Sequence, residues 1–254
     1  MPLRSDPSLT GAMRARGIGR AGGHRRHGCR LDRRFAFITA ALVAFASLYA
    51  AVRSDRTHAL DLAVTLRLQA RRSRWLRHGM RAASWPGYPP QSRTLPLLVI
   101  GGWLVAGLPR AAAYQTASWG GAVLSTIVKF AVHRPRPLPP EVQVALAPLG
   151  GSSFPSGHVL TYVAFYGFLA YLVASHVRPP LARRVLVGGL SGLVAVVGPS
   201  RIQQGHHWPT DVTASYLLGS AYLVVLVVLY ERGRPAPGAA ALMEGPVAER
   251  PELP

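Results

Sequence analysis

Residues 155–177 read Pro155-Ser-Gly-His-Val-Leu-Thr-Tyr-Val-Ala-Phe-Tyr-Gly-Phe-Leu-Ala-Tyr-Leu-Val-Ala-Ser-His-Val177, a short polar turn followed by a long apolar block. The block contains no Asp, Glu, Lys or Arg and is long enough for a helix that spans a membrane. Ser156 is a candidate N-cap, and Gly157 allows a ligand to approach the backbone closely. The first-turn N–H groups and the helix dipole would attract an anion there. The stretch therefore predicts a membrane helix with an anion site at its amino-terminal end.

Other segments share this apolar character, and the sequence predicts an all-α integral membrane bundle of about six transmembrane helices. The segments are 35–52, 95–108, 111–132, 158–177, 185–199 and 212–230. The second is the shortest and contains Pro96, so it is the least typical membrane helix of the set. A signal peptide is the alternative for the first segment, but its basic flank is long for one and no clear cleavage site follows.

Three further segments are expected to have other roles. Residues 1–34 are rich in Arg, Gly and Ser and are predicted to form a disordered, basic cytoplasmic tail. Residues 54–92 interleave apolar and basic side chains and include Trp75, which is typical of an amphipathic segment lying in the membrane interface. Residues 231–254 are rich in Pro, Ala and Gly and are predicted to form a disordered C-terminal tail. The membrane domain would then cover residues 35–230, with the interfacial segment between its first two helices.

The formal net charge of +19 is concentrated in two arginine-rich regions, residues 1–34 and 53–93. Basic regions beside apolar spans typically bind anionic lipid headgroups. No nucleic-acid-binding motif accompanies the charge. We therefore expect membrane lipids as partners, and no nucleic acid. The single cysteine, Cys29, excludes an intrachain disulfide.

An even number of spans would put both termini on one side of the membrane. If the amino terminus is cytoplasmic, several later arginines are cytoplasmic as well, in line with the positive-inside rule. These are Arg178, Arg183, Arg184, Arg232 and Arg234. The arginines of residues 53–93 would lie outside, which weakens the rule here unless that segment is interfacial. The connections 133–157 and 200–210 would then emerge together on the outer face. The sequence thus predicts a multi-pass cell-membrane protein with cytoplasmic termini and an extracytoplasmic site.

Three separated cations lie at the edges of apolar segments, namely Lys129, Arg136 and Arg201. Phosphoryl transfer depends mainly on positioning and on fixed positive charge. Lysine supplies a point charge, whereas arginine presents a planar fork that suits two oxygens. Pro135 and Pro137 restrict the backbone on either side of Arg136. The three cations therefore predict a phosphate site, with cations that snorkel to lipid headgroups as the alternative.

Two kinds of acid–base group accompany the cations. His158 would lie where an imidazole can protonate a leaving oxygen. His207 would lie just ahead of a helix that begins near Pro209, with Asp211 in its first turn. A carboxylate there can fix the ring tautomer and leave the other ring nitrogen as a nucleophile. Spacing alone does not distinguish His206 from His207. It also leaves open a metal site completed by His158, although the surrounding cations disfavour a divalent ion.

The same residues form three strings: Lys-x6-Arg-Pro, Pro-Ser-Gly-His and Ser-Arg-x5-His-x3-Asp. They occur in this order at residues 129–137, 155–158 and 200–211, without a gap. In these strings and their separations, the chain resembles the type 2 phosphatidic acid phosphatase superfamily over roughly residues 35–230. One departure is that Arg134-Pro135 duplicates the Arg136-Pro137 pair, which makes Arg134 a competing phosphate ligand.

The resemblance implies a metal-independent phosphatase that needs no cofactor and has an extracytoplasmic site in a six-helix membrane core. By that likeness, His207 attacks phosphorus and becomes phosphorylated, and Asp211 orients it. His158 protonates the departing alcohol and then activates water. The phosphoryl oxygens would be held by Lys129, Arg136, Ser156, Gly157 and Arg201.

The expected substrate is a lipid phosphate, such as phosphatidic acid, phosphatidylglycerol phosphate or a polyprenyl mono- or diphosphate. A vanadate-dependent haloperoxidase is one alternative, because its site is similar, but those proteins are larger and soluble. A phosphotransferase, in which an alcohol replaces water as the acceptor, is a second alternative. A non-catalytic lipid-binding protein is the third, and it is disfavoured because every catalytic position is filled.

Overall fold

The computed structural model describes residues 21–71, 73–145 and 150–233, with side chains from Asp32 onward. Within these ranges all regular secondary structure is helical, which confirms the predicted fold class for this part of the chain. The helices are α1 (Ala21–Arg53), α2 (His58–Gln69), α3 (Arg74–Ser84), α4 (Gln91–Val105), α5 (Pro109–Ala117), α6 (Gly120–Ala131), α7 (Gly157–His176), α8 (Pro180–Gln203) and α9 (Pro209–Arg232), with a 3₁₀ turn at Trp85–Gly87. Most of both predicted tails lies outside the described residues.

Helix α7 is the central element, and it packs against α6, α8 and α9. Its sequence is apolar on all sides, as expected for a helix that is surrounded by other helices or by lipid. Leu160, Phe165, Phe168 and Leu172 of this helix are almost completely buried. Helix α1 packs along α9, and α3 packs along α8. The packing therefore holds the amino-terminal end of α7 next to the end of α8 and the start of α9.

Four segments of the described chain are long and apolar enough to cross a membrane. They are Asp32–Arg53, Gly157–His176, Pro180–Gln203 and Pro209–Arg232. They correspond to the first, fourth, fifth and sixth of the predicted spans. The prediction of one continuous helix over residues 111–132 is wrong, because the structure has α5 and α6 there.

The break between α5 and α6 has a cause in α9. The hydroxyl of Tyr222 donates to the carbonyl of Ala117 at 2.7 Å. A Cβ atom at Gly120 would lie 2.1 Å from the same hydroxyl, so any other residue at this position would displace the side chain of Tyr222. Ser118, between them, donates through its hydroxyl to the carbonyl of Gln115 at 2.6 Å. These side-chain bonds, together with the low helix propensity of glycine, end one helix and start the next.

The structure also differs from the sequence predictions at α1 and in residues 54–92. Helix α1 begins at Ala21, so the part of the predicted tail ahead of Phe35 that the structure describes is helical. Residues 54–92 form two helices and a 3₁₀ turn, and both helices pack against α8. Helix α2 buries Asp61, whereas Trp75 of α3 is 88% exposed. This segment therefore contributes to the bundle and is not only a surface element.

Helix α8 continues through Pro199, which has no N–H to donate to the carbonyl of Ala195. The hydroxyl of Tyr216, on α9, lies 3.0 Å from that carbonyl and donates to the carbonyl of Val194 at 2.7 Å. The same oxygen accepts from the N–H of Gly198 at 3.1 Å. Bonds between the two helices thus replace the one that proline removes.

The two ends of the bundle carry different polar contacts. At one end, Arg34 of α1 forms an ion pair with Glu231 of α9. Nearby, Arg110 of α5 donates to the carbonyl of Tyr230. At the opposite end, residues 150–156 and 204–208 meet beside the start of α7, since the carbonyl of Ser153 accepts from His207 there. All the side chains singled out by the sequence strings lie near this second end.

Candidate active site

The ring of His207 is held in a defined tautomer. Its Nδ1 lies 2.8 Å from the carbonyl oxygen of Ser153, which can only accept, so Nδ1 carries the proton. Nε2 is then unprotonated, and it lies 3.3 Å from Nη1 of Arg136. The side chain is almost completely buried. This burial lowers the pKa of His207 to about 4, although the negative charge of Asp211 acts in the opposite direction; the charges of Arg201 and Arg136 lower the pKa further.

Asp211 supports His207 in a different way from the one predicted. The nearest distance between its Oδ2 and Nδ1 of His207 is 3.7 Å, which is too long for a hydrogen bond. Oδ2 instead accepts from the backbone N–H of Trp208 at 2.9 Å, and so caps the first turn of α9. The prediction that this carboxylate bonds the ring is therefore corrected, because the carbonyl of Ser153 occupies that place. The carboxylate still favours a proton on Nδ1 through its charge.

Arg134 is the second partner of Asp211. Its Nη1 lies 2.6 Å from Oδ1 of Asp211, and its Nη2 lies 2.6 Å from Oδ2 of Asp61. Thr210 connects the two ion pairs, because its hydroxyl accepts from Arg134 and donates to Asp61. Both carboxylates are fully buried. The guanidinium of Arg134 is thus occupied by two carboxylates, so the structure does not favour it as a competing phosphate ligand.

Arg136 differs from Arg134 because its partners are neutral. Nη1 donates to the carbonyl of His206 at 2.8 Å, and Nε lies 3.2 Å from the carbonyl of Gly150. Nη2 lies 3.3 Å from the carbonyl of Ser152. Partial burial lowers the pKa of Arg136, although its guanidinium remains charged under ordinary conditions. These carbonyls orient the guanidinium beside Nε2 of His207 and leave its charge available to an anion.

Arg201, at the end of α8, is fully buried. Its Nη1 donates to the hydroxyl of Tyr88, which in turn donates to the side-chain carbonyl of Gln204 at 2.9 Å. Nε and Nη2 have no hydrogen-bond partner among the described residues. Buried donors without a partner are costly, so their presence points to a ligand that accepts from them.

The amino terminus of α7 faces a cavity of about 330 Å³. Lys129, Gly157 and His158 are among the residues that line it. Ser156 occupies the N-cap position of α7, but its hydroxyl makes no capping bond and has no partner among the described residues. A Cβ atom at Gly157 would lie 3.9 Å from Nζ of Lys129. The backbone of α7 therefore approaches the ammonium group closely, and the predicted phosphate-binding residues Lys129, Ser156 and Gly157 lie together.

His158 is enclosed by aromatic and backbone groups. Its ring lies edge-on to that of Tyr88, with 5.1 Å between the ring centroids, and stacks near Tyr162. The 3₁₀ turn is also close, since a Cβ atom at Gly87 would lie 2.7 Å from Nε2 of His158. Nε2 is buried and has no hydrogen-bond partner in the described part of the chain. Tyr88, which lies against this ring, also accepts from Arg201, so a single side chain separates His158 from the guanidinium at the end of α8.

His206 has a separate environment. Its Nε2 bonds to the carbonyl of Ala145 at 2.7 Å, and its own carbonyl accepts from Arg136. Burial lowers the pKa of His206 to about 4. Of the two adjacent histidines, it is His207 whose free nitrogen faces a guanidinium. In the described residues, no group of three or more His, Cys, Asp and Glu side chains is arranged to hold a metal ion.

Two site residues were missed by the sequence predictions. Tyr88 lies in a Trp-Pro-Gly-Tyr-Pro-Pro run, which indicates a turn but carries no signal for a contact with Arg201. Asp61 did carry a signal, because it is a lone carboxylate among the apolar residues of α2. A carboxylate in such a place is costly unless it has a partner, so Asp61 could have been singled out from the sequence.

Comparisons with known proteins show what the chain is similar to. The model of the PAP2 superfamily matches residues 110–235. Phosphatidylglycerophosphatase B of Bacillus subtilis (strain 168) is 29% identical over 189 residues, which cover 69% of this chain and 85% of the relative.

Two solved structures have the same fold. The crystal structure of a transmembrane PAP2 type phosphatidylglycerolphosphate phosphatase from Bacillus subtilis superposes with a TM-score of 0.70 at 21% identity, covering 79% of this chain and 98% of that one. The structure of LpxE from Aquifex aeolicus superposes with a TM-score of 0.50 at 19% identity, covering 68% and 95%. The family match, the shared helical fold and the membrane-spanning helices lead to one conclusion: the chain is a multi-pass membrane protein that belongs to the PAP2 superfamily.

Proposed function

We propose that the protein is a membrane lipid-phosphate phosphatase that acts through a phosphohistidine intermediate. The observation that carries the proposal is the environment of His207, whose unprotonated Nε2 lies beside Arg136. The unpartnered donors of Arg201 and the hydroxyl of Ser156 lie at the same end of the bundle. A buried neutral imidazole surrounded by fixed positive charge suits nucleophilic attack on a phosphate ester.

In the first half of the reaction, Nε2 of His207 forms a bond to phosphorus, and the bond to the ester oxygen breaks. His158, in its protonated form, gives its proton to that oxygen, and the alcohol leaves. In the second half, His158 takes a proton from water, the water oxygen bonds to phosphorus, and the phosphorus–nitrogen bond breaks. Lys129, Arg136, Arg201, Ser156 and the backbone of Gly157 hold the phosphoryl oxygens through both halves. The negative charge of Asp211 supports the positive charge that develops on His207.

The membrane arrangement is part of the proposal. Helix α4 and the α5–α6 pair run between the two ends of the bundle and would complete six spans over residues 35–230. Both termini would be cytoplasmic, and the site would open on the extracytoplasmic side. The exposed Trp75 and the arginines of α3 would lie among anionic headgroups.

The substrate would be a lipid phosphate whose headgroup reaches His207 and whose apolar tail lies among the helices. The names of the relatives point first to phosphatidylglycerol phosphate. Phosphatidic acid and polyprenyl mono- and diphosphates are compatible with the same site. No step of the proposed reaction uses a metal ion.

The test is release of phosphate from these lipid phosphates by the purified protein, with a chelator present throughout. The native chain should release phosphate from at least one of them, and His207→Ala should release none. His206→Ala is the matched control and should keep most of the activity, because the ring of His206 points to the carbonyl of Ala145. A native chain that releases phosphate from none of the lipids, or only after metal is added, would contradict the proposal.

A further inference from the structure

The buried serine and threonine hydroxyls of the described chain almost all have a hydrogen-bond partner. The paired ones are Thr57, Thr65, Ser84, Ser118, Ser153, Ser200, Thr210 and Ser215. The two exceptions in the described ranges are Ser125 and Ser156. Leaving a buried hydroxyl without a partner costs free energy, and native structures avoid it unless a ligand supplies the missing bond. Ser156 already belongs to the Pro-Ser-Gly-His string, but no sequence string contains Ser125.

Ser125 lies on α6, one helical turn ahead of Lys129, so the two side chains share one face of the helix. Both line the cavity at the amino terminus of α7. A Cβ atom at Gly157 would lie 3.3 Å from the hydroxyl of Ser125 and 3.9 Å from Nζ of Lys129. The hydroxyl and the ammonium group therefore face the same point on the backbone of α7.

That point is also where an anion would bind. The first N–H groups of α7 have no partner within the helix, and the helix dipole favours negative charge there. A hydroxyl at this place can donate to an anionic oxygen that Lys129 also contacts. Several helical hydroxyls elsewhere in the bundle bond to a carbonyl of their own helix, as Ser175 does to Tyr171 at 2.9 Å. Ser125 does not, so its donor remains available to the cavity.

We propose that the hydroxyl of Ser125 is a further phosphate-binding group, which donates to the phosphoryl oxygen held by Lys129. The proposal rests on the proposed function, because it uses the same site. It extends that site beyond the residues of the three strings and assigns the α6 side of the phosphate to a serine–lysine pair. Ser125 takes no part in proton transfer.

Binding of inorganic phosphate by the purified full-length protein, measured by calorimetry, tests this assignment without any need for turnover. Ser125→Ala should weaken phosphate binding by roughly tenfold to a hundredfold, the effect expected when a hydrogen bond to a charged group is lost. Ser175→Ala is the matched control, because it removes a hydroxyl that bonds within its own helix, and its phosphate binding should equal that of the native chain.

Thermal unfolding in the absence of phosphate gives a second readout. Ser125→Ala removes an unpartnered buried hydroxyl, so its unfolding temperature should be equal to or higher than that of the native chain. A hydroxyl with a structural role would give a lower unfolding temperature. Unchanged phosphate binding, or a clear loss of stability in Ser125→Ala, would overturn the inference. Phosphate binding that depends on Ser125 in a chain that hydrolyses no lipid phosphate would uphold it and refute the proposed function instead.

Discussion

Arg134 and Arg136 are each followed by proline, but their guanidinium groups have different partners. Arg134 is bonded to the buried carboxylates of Asp61 and Asp211. Arg136 is bonded to backbone carbonyls and lies beside the ring of His207. A cation paired with two carboxylates has little charge to offer a ligand, whereas one held by neutral oxygens keeps its charge. We therefore assign a structural role to the first arginine and a ligand-binding role to the second.

Replacing each arginine with glutamine separates these roles. Arg134→Gln leaves two buried carboxylates without their cation, so the free energy of unfolding should fall by about 3–5 kcal/mol. The free energy of unfolding of Arg136→Gln should fall much less. Its kcat should fall by about a hundredfold or more, as expected when a transition-state donor is removed. Thermal unfolding in detergent and phosphate release measure the two effects. The assignment is wrong if the stability order of the two variants is reversed.

The titration of His207 is a second property of single residues. Burial lowers its pKa to about 4, whereas the ordinary value is 6.5. A lowered pKa means that the neutral, nucleophilic ring predominates above about pH 4 and is lost only as the pH falls through that value. Nuclear magnetic resonance of ring-labelled histidine should show no titration of His207 between about pH 8 and about pH 5. His206→Asn removes the neighbouring signal for assignment, and a midpoint near 6.5 would contradict the prediction.

The 3₁₀ turn at Trp85–Gly87 determines where the ring of His158 can lie. Gly87 is in contact with that ring, and the neighbouring hydroxyl of Tyr162 donates to the carbonyl of Ala83 at 3.1 Å. The hydrogen bond thus joins α7 to the end of α3, directly ahead of the turn, and the turn itself packs closely against the ring of His158. The element that the sequence predicted to lie at the membrane interface therefore positions the ring of His158, the proposed proton donor.

Adding a methyl group to this turn should displace the imidazole. A Cβ atom at Gly87 would lie 2.3 Å from Cδ2 of His158, which no real contact allows. Gly87→Ala should therefore lower kcat by about a hundredfold, the usual consequence of a small misplacement of a reacting group. Gly79→Ala is the control, because a Cβ atom there meets nothing within 4 Å, and it should leave kcat unchanged. Equal kcat values for the two variants would show that the turn does not position His158.

The helices were predictable from the sequence where the signal is local. Helices α7, α8 and α9 each contain a long run without Asp, Glu, Lys or Arg, and each helix begins at a proline or a glycine. The break between α5 and α6 was not predictable, because its cause is the hydroxyl of Tyr222, which is distant in the chain. The partner of Nδ1 of His207 was also not predictable, since a backbone carbonyl leaves no trace in residue types. Contacts between segments that are distant in the chain thus account for most of the differences between the prediction from the sequence and the structure.

The whole molecule has one polar end that holds the candidate site and an opposite end that holds the Arg34–Glu231 ion pair. Leu138 lies in the connection at the first end and is 50% exposed. Leu181 lies at the start of α8, at the opposite end, and is 74% exposed. The proposed orientation places the first position outside the cell membrane and the second in the cytoplasm.

Single cysteines test that orientation. Cys29 is the natural cysteine, so Cys29→Ser provides a background without thiols. In this background, Leu138→Cys should react with a membrane-impermeant maleimide in intact cells. Leu181→Cys should react only after the membrane is permeabilised. The reverse pattern would place the candidate site in the cytoplasm, and labelling of both positions in intact cells would contradict the span count.

The hydrogen bonds of Tyr216 help to keep Arg201, on α8, and His207, just ahead of α9, at a constant distance. A proline just ahead of a ligand-binding arginine ordinarily weakens the last turn of a helix. Here that turn is fastened to the adjacent helix, so a fluctuation that separates α8 from α9 must also break the bonds of the phenol. The spacing between the guanidinium of Arg201 and the imidazole of His207 is therefore governed by cohesion between two helices, and not by the regularity of either one.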